Sequence, residues 1–423
     1  MKQFRFLVTS ALLFCLTSVH AQKFVGGDIS LLPTYEEHGA NYMDKDGQPI
    51  SDMLSFLKEQ GWNTIRVRLF VDPSLASDEA KGQGVRQDLE YVKAFGKRIK
   101  DAGLKFMLDF HYSDTWADPS HQATPASWIP SPNEDTLPIE IIIYNYTKDC
   151  LEQLVAAGAT PDFIQTGNEI SFGMLWDSGC KVDANNSWND YIDDNWDYFS
   201  TVLKSASKAC REICPEAKII IHTEQCANNP TLDVAFFKHI EKYEIDYDII
   251  GTSYYPYFKG RVSNLDKGLK ELETNFPDKQ IMVVETGCGY HYEVGDRDKQ
   301  YYPLSYEGQR QFTEELITML NKHPKVNGLF WWFAEANEYG LDWATQRVTD
   351  GWYNASLFDN ETGRALPALY ELKAFTEEGT GIHTVSASDE RTGSWYSLDG
   401  RRLLGAPNQK GIYINHQKKI IVR

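Results

Sequence analysis

Two glutamates, Glu169 and Glu285, stand where a carboxyl can act on a substrate. Glu169 belongs to the stretch F-I-Q-T-G-N-E-I over residues 163–170, where a short apolar run led in by Pro161-Asp162 breaks at Gly167 into Asn168-Glu169. Glu285 ends the apolar run I-M-V-V, 116 residues further on (285 minus 169), and is followed by Thr286-Gly287. Each run has the length of a buried strand, and each delivers one carboxyl at its C-terminal end. A lone glutamate in such a place reads more simply as the ion-pair partner of a buried arginine, and Arg66 and Arg68 are available for that role. Two glutamates facing one cleft have a more specific use. Cleaving a glycosidic bond with retention needs one protonated carboxyl to assist the leaving oxygen and one ionised carboxyl to attack the anomeric carbon, roughly 5 to 5.5 Å apart.

Such a pair needs a scaffold that gathers strand ends. Strand-like runs occur at residues 23–32, 62–71, 104–112, 163–170, 218–223, 247–257, 280–287 and 326–333. Helical patterns fall between them at 48–61, 86–102, 138–158, 195–214, 231–244, 265–276 and 306–323, with 366–375 closing the series. Eight strands alternating with helices predict an α/β protein whose parallel sheet closes into a (β/α)8 TIM barrel over residues 22–378. The first strand places Asp28 at its end. The second, W-N-T-I-R-V-R-L-F-V, sets Arg66 and Arg68 on the face opposite Ile65, Val67 and Leu69, and buried arginines require carboxylate partners. The third puts Asp109 and His111 on one face and runs into S-D-T-W-A-D-P, which carries Asp114 and Trp116. Polar and aromatic residues thus collect at strand C-termini, where barrels of this type keep their sites. No glycine-rich phosphate fingerprint follows the first strand, which argues against a dinucleotide enzyme.

Composition narrows the partner. Of the 423 residues 42% are hydrophobic, enough for one large core, and 11 Trp, 23 Tyr and 21 Phe exceed what that core needs, as surfaces that stack sugar rings do. A formal net charge of -18 argues against nucleic acid, anionic substrates and anionic membranes, and suits a neutral polymer. Residues 1–21 read as a signal peptide: Lys2 and Arg5, an apolar stretch over 6–16, and Val19-His20-Ala21 as a small-residue cleavage site. Export to the periplasm, the exterior or the cell surface is therefore expected. No later run is long enough to span a membrane. Cys15 follows the bulky Phe14, which argues against lipidation. The other six cysteines have no metal-ligand spacing, and their pairing is open. From Gly379 the pattern changes to short strand-like pieces with turn signals, so residues 379–423 form a β-rich tail. It resembles the C-terminal sorting or attachment appendages of some exported Gram-negative proteins, and a small hairpin packed on the barrel is the alternative.

Several stretches taken together resemble one family. G-G-D-I-S-L-L, N-T-I-R-V-R-L-F-V-D-P, L-D-F-H-Y-S-D-T-W-A-D-P, Q-T-G-N-E-I with G-M-L-W after it, G-T-S-Y-Y-P-Y and V-V-E-T are similar to glycoside hydrolase family 53, the endo-β-1,4-galactanases. The resemblance covers residues 24–375, and Asn-Glu at strand four with Glu at strand seven is shared by the wider clan of retaining (β/α)8 glycosidases. It implies endo-cleavage of β-1,4-galactan in pectin side chains, with galactan and galacto-oligosaccharides as partners and no cofactor for the chemistry; a monomer is the expectation, though nothing in the sequence fixes the oligomeric state. It also implies Glu169 as acid/base and Glu285 as nucleophile. Within that frame Asn168 is placed to reach the 2-hydroxyl, Arg66 and Arg68 to keep Glu285 ionised, and Tyr254 to donate to the nucleophile, while Glu169 must have a raised pKa. Asp28, Asp109 and Asp114 join the substrate-binding set. His111 is either a site residue or a satisfied core histidine, and Trp116, Trp331 and Trp332 either stack on galactose or pack at the rim. Strand eight departs from the family's Trp-Glu-Pro, reading W-W-F-A-E over 331–335, which bears on product length. Some bacterial members hold a structural Ca2+ between the loops after strands seven and eight, for which Asp296 and Asp298 are the candidates here. A related barrel enzyme acting on mannan, xylan or glucan, and a non-catalytic glycan-binding barrel, are the competing readings.

Overall fold

The computed structural model describes residues 22–130, 137–291, 301–351, 353, 356–377, 382–384, 395–397, 402–403, 407, 410–415 and 418–422. Eight strands close into one parallel barrel: β1 (Phe24–Asp28), β2 (Thr64–Leu69), β3 (Lys105–Phe110), β4 (Phe163–Thr166), β5 (Lys218–Thr223), β6 (Ile249–Tyr254), β7 (Gln280–Thr286) and β8 (Val326–Trp332). Each pairs with its sequence neighbour, and β8 returns to β1 from Phe24↔Gly328 to Asp28↔Trp332. Parallel strands covered on both faces are buried throughout, as β2, β4 and β6 are along their whole length, so the polar side chains they carry must find partners inside the barrel. The expected (β/α)8 barrel is the architecture observed.

Helices fill the crossovers: Met53–Glu59, Leu89–Asp101, Ile139–Ala156, Trp196–Ile213, Pro230–Lys242, Val262–Asn275 and Tyr306–Leu320. Their starts follow local chemistry, as where Asp88 accepts the Tyr91 N–H ahead of Leu89–Asp101 and Ser305 accepts the Gly308 N–H ahead of Tyr306–Leu320. The last helix, expected at 366–375, is a short α-turn Pro367–Glu371 running into a 3-10 turn Leu372–Phe375. One expected boundary moves: the pattern at 48–61 becomes helical only at Met53, because Met43 and Pro49 form an antiparallel bridge just before it. The helix Leu32–His38, with a proline in its first turn and Gly39 at φ +91° closing it, has no counterpart among the expected elements.

Beyond the barrel, Arg402–Leu403, Trp395–Ser397, Gly411–Asn415, Lys418–Val422 and Ile382–Thr384 form a five-stranded sheet in that order. The tail is therefore more than a hairpin. Residues 1–21, read as a signal peptide, lie outside the described residues. Among the described residues no helix is long and apolar enough to cross a membrane. The six cysteines other than Cys15 are buried and unpaired.

The barrel interior is layered. Phe24, Met107, Phe163, Ile220, Ile249, Met282, Val284 and Phe330 pack together as its apolar floor. Above them the inward positions turn polar, with Asp28, Arg66, Asp109, Gln165, His222 and Ser253 all fully buried. Strand β7 breaks the alternation. Thr252↔Val283 is followed by Ser253↔Glu285 on one side, and Val283↔Leu329 by Thr286↔Trp331 on the other, so β7 carries one extra residue against both neighbours. This bulge lets Val284 join the apolar floor and still turns the next side chain, Glu285, inward.

Candidate active site

The C-terminal mouth of the barrel is organised around Arg66, fully buried in β2. Its Nε donates to Gln165 Oε1 (2.7 Å), Nη1 to Asp28 Oδ2 (2.8 Å), and Nη2 to Asp109 Oδ2 (2.8 Å) and Asn168 Oδ1 (2.9 Å). The same Nη2 lies 2.8 Å from Glu285 Oε1. Burial works against this charge, but Asp109, Glu285 and Asp28 outweigh it and raise the guanidinium's pKa. In return, although burial pushes Asp109 up, Arg66 and His111 hold it down to about 2.

Arg68 does not share this task. It donates to Asp28 Oδ1 (2.8 Å) and lies against the rings of Trp116, Phe333 and Trp332, at 4.9, 5.5 and 6.0 Å. The expectation that both arginines hold Glu285 is corrected to Arg66 alone: the carboxylate Arg68 meets is Asp28, through Nη1, and its guanidinium lies toward the aromatic rings rather than toward Glu285. Asp28 and Asp109 are 0% exposed and belong to the support beneath the site rather than to a surface that meets substrate. Asp114 likewise is a loop clamp, accepting the Asp72 N–H (3.0 Å) and the Ala126 N–H (2.8 Å). His111 is a buried histidine, 3% exposed, packed between Phe70 and Trp116. Its Nδ1 accepts the Ala117 N–H (3.0 Å), which leaves the Nε2 proton facing Asp109 Oδ2 at 3.1 Å.

Glu285 is gripped at both oxygens, by Arg66 at Oε1 and by the Tyr255 hydroxyl, which donates to Oε2 (2.9 Å). Burial raises its pKa, and Arg66 and Tyr255 work against that rise. The donor is Tyr255 and not Tyr254, because adjacent residues at a strand end face opposite sides. Tyr254 points outward, donates to the Gly260 carbonyl (2.7 Å) and stacks near Phe312. Tyr255→Phe should therefore lower kcat roughly 10- to 100-fold, the value of a hydrogen bond to a charged group. Tyr254→Phe should cost about 1 kcal/mol of stability with kcat nearly unchanged. Steady-state kinetics and urea unfolding of both variants check this, and an equal kcat loss in the two would refute it.

The same parity separates the two tryptophans of β8. Trp331 is 0% exposed and packs outward against Phe312 of helix Tyr306–Leu320, so it is no sugar platform. Trp332 points into the mouth, with ring centroids 6.3 Å from Trp116 and 6.4 Å from Tyr255. Trp116 and Trp332 form the aromatic side of the cleft with Arg68 behind them.

Opposite Glu285, Gly167 (φ +104°) makes the turn after β4; a Cβ there would meet Ile170 Cγ2 at 2.7 Å. Two residues on, Glu169 itself takes φ +49°, a left-handed conformation that costs a non-glycine residue about 1–2 kcal/mol. No arginine or lysine forms an ion pair with it among the described residues. Burial first, then the charges of Glu285 and Glu224, push its pKa well above the usual carboxyl range. Asn168 uses Oδ1 on Arg66 and donates from Nδ2 to the Ala117 carbonyl (2.7 Å), leaving one amide proton for a ligand.

Five neighbours were not among the expected site residues: Gln165, His222, Glu224, Ser253 and Tyr255. Arg66 can only donate, so it fixes Gln165 Oε1 as acceptor and turns the Gln165 amide toward His222 Nδ1 (3.0 Å). Nδ1 is then the acceptor, and Nε2–H donates to Ser253 Oγ (2.8 Å). Burial, with Arg66 adding to it, lowers the His222 pKa well below the ordinary histidine value, so the ring is neutral. A histidine and serines at strand ends were visible in I-I-I-H-T and G-T-S-Y-Y, but nothing local aimed them. Asp296 and Asp298 lie outside the described residues. Among the described residues no group of three or more His, Cys, Asp or Glu side chains is arranged to hold a metal ion.

A family model described as Glycosyl hydrolase family 53 matches residues 24–372. The Niallia circulans "uncharacterized protein in bgaB 5'region" is 33% identical over 368 residues, covering 84% of this chain and 95% of that protein. The probable arabinogalactan endo-β-1,4-galactanase A of Neosartorya fischeri is 31% identical, covering 73% of this chain and 82% of its own length. Among solved structures, the Ignisphaera aggregans GH53 catalytic domain superposes with a TM-score of 0.71 at 31% identity, over 84% of this chain and 96% of that one.

Proposed function

The chain belongs to glycosyl hydrolase family 53 and is therefore a glycosidase, and we propose that it cleaves β-1,4-galactosidic bonds inside galactan and arabinogalactan with retention of configuration. The observation that carries the mechanism is the unequal treatment of the two glutamates. Glu285 is held by a guanidinium and a phenol at its two oxygens, the environment of an ionised nucleophile. Among the described residues no cation pairs with Glu169, and burial with the charges of Glu285 and Glu224 outweighs Lys259, the environment of an acid that keeps its proton. In the first step Glu169 protonates the leaving oxygen while Glu285 attacks the anomeric carbon. In the second, ionised Glu169 draws a proton from water, which displaces the sugar from Glu285. Two carboxyls complete this cycle without a cofactor.

The substrate assignment rests on relatives described as arabinogalactan endo-β-1,4-galactanases and on the aromatic pair Trp116 and Trp332 beside the cleft. Residues 1–21 support export, which would bring the enzyme to galactan of pectin side chains. Incubation with de-arabinosylated galactan, mannan, xylan and glucan tests the reading. Galacto-oligosaccharides should appear from galactan alone, with the β-anomer seen first by NMR. Absence of turnover on galactan would sink the substrate class, and a first-formed α-anomer would sink retention.

A further inference from the structure

We propose that Glu224 is a positioning residue for Glu169: it clamps the backbone turn that presents Glu169 and sets, by its charge, the pH at which Glu169 gives up its proton. The inference rests on the reading of Glu169 as the acid/base. Glu224 directly follows β5 and is 1% exposed. Its Oε2 accepts the Ser171 hydroxyl (2.6 Å), and Ser171 Oγ in turn accepts the Glu224 N–H (3.4 Å), so the two residues close a ring. The Ser171 carbonyl accepts the Tyr191 hydroxyl (2.8 Å), and the Ile170 N–H donates to the His222 carbonyl (2.9 Å). The two residues after Glu169 are thus tied to β5, to the residue after it and to the loop carrying Tyr191. A left-handed glutamate persists only when its surroundings over-determine it, and these bonds do so.

The charge follows from the same bonds. Oε1 accepts the Gln225 amide and Oε2 accepts Ser171, so each oxygen of Glu224 meets a donor, as an ionised carboxylate requires. Burial raises the Glu224 pKa, and Lys259, Ser171 and Gln225 work against that rise. The other titratable groups facing Glu224 are Tyr191, from the loop before helix Trp196–Ile213, and Asp233 of helix Pro230–Lys242. Facing Glu169 are Glu285 from β7, Glu224 itself, Tyr255 and Lys259 from the turn after β6, and the Ser253 hydroxyl from β6. A negative charge at Glu224 disfavours ionisation of Glu169 and so extends its acid form to higher pH.

Glu224→Gln keeps the size and an acceptor for Ser171 but removes the charge. Glu169 should then ionise earlier, and the alkaline limb of kcat/KM on galactan should move to lower pH by about one unit. An aryl β-galactoside whose phenol leaves without protonation should show no such displacement of its bond-breaking step. Ser171→Ala keeps the charge and loosens the turn, so kcat should fall several-fold with the limb in place. A folded Glu224→Gln enzyme of lowered melting temperature whose limb stays put shows a merely structural role and overturns the proposal. Should that variant not fold, Glu224→Asp carries the test, since a retained charge must leave the limb within a few tenths of a unit. A Glu169→Gln enzyme with normal turnover of galactan would instead overturn the acid/base reading on which this stands.

Discussion

Glu285→Gln should reduce kcat on galactan by a factor on the order of 10⁴ to 10⁵ while the protein still folds and binds galacto-oligosaccharides. The amide has the shape of the carboxylate and can still accept from Tyr255, but it cannot serve as the proposed nucleophile. Arg66 keeps Asp28, Asp109, Gln165 and Asn168 around it, so the loss falls on chemistry rather than on the fold. The companion variant Glu169→Gln should lose as much on galactan and far less on an aryl galactoside with a good leaving group, because only the former needs a proton delivered. Single-turnover kinetics on both substrates separates the roles. A Glu285→Gln enzyme within tenfold of wild type would end the nucleophile assignment, and equal losses of Glu169→Gln on both substrates would end the acid assignment.

Arg66→Met should destabilise the barrel by about 3–5 kcal/mol and abolish turnover together, since one buried cation serves both. Its removal strips a donor from Asp28, Asp109, Glu285, Gln165 and Asn168 at once, and the uncompensated carboxylates are what cost most. The sign with pH follows from Asp109, held down to about 2 against its ordinary 3.8. A carboxyl with a depressed folded pKa contributes stability that is complete above its unfolded value and is lost as pH falls through the folded one. The gap between wild type and Arg66→Met should thus be full above about pH 4 and shrink toward pH 2. Urea midpoints at pH 7 and pH 3 measure it. A gap that grows on acidification, or a variant as stable as wild type at pH 7, would contradict this account.

The fate of the aromatic residues shows how far a linear reading reaches. Tyr254-Tyr255 and Trp331-Trp332 are tandem aromatics at strand ends, and within each pair one side chain enters the mouth while the other enters the helical shell. Counting from Gly251 through Ser253 assigns Tyr255 inward, so that information was present in the sequence but needed one fixed reference residue. Asp28, Asp109 and Asp114 carry the residue types of a binding set, yet Asp28 meets both arginines, Asp109 gives Oδ2 to Arg66, and Asp114 accepts two backbone amides. Their chemistry was legible and their partners were not, because partners lie 38 to 43 residues away for the first two.

The sequence by itself determined the eight buried strands, the helices between them and the delivery of Glu169 and Glu285 to two strand ends, because periodicity and burial act over a few residues. Only the tertiary structure decided which way the second glutamate faces. Strict alternation from Met282 turns Val284 inward and Glu285 outward, and the extra residue in β7 reverses this for Glu285 alone. A bulge belongs to the register of three strands at once, so no single strand encodes it. The left-handed turn at Glu169 is of the same kind, held by Glu224 and Tyr191 through Ser171 from elsewhere in the fold.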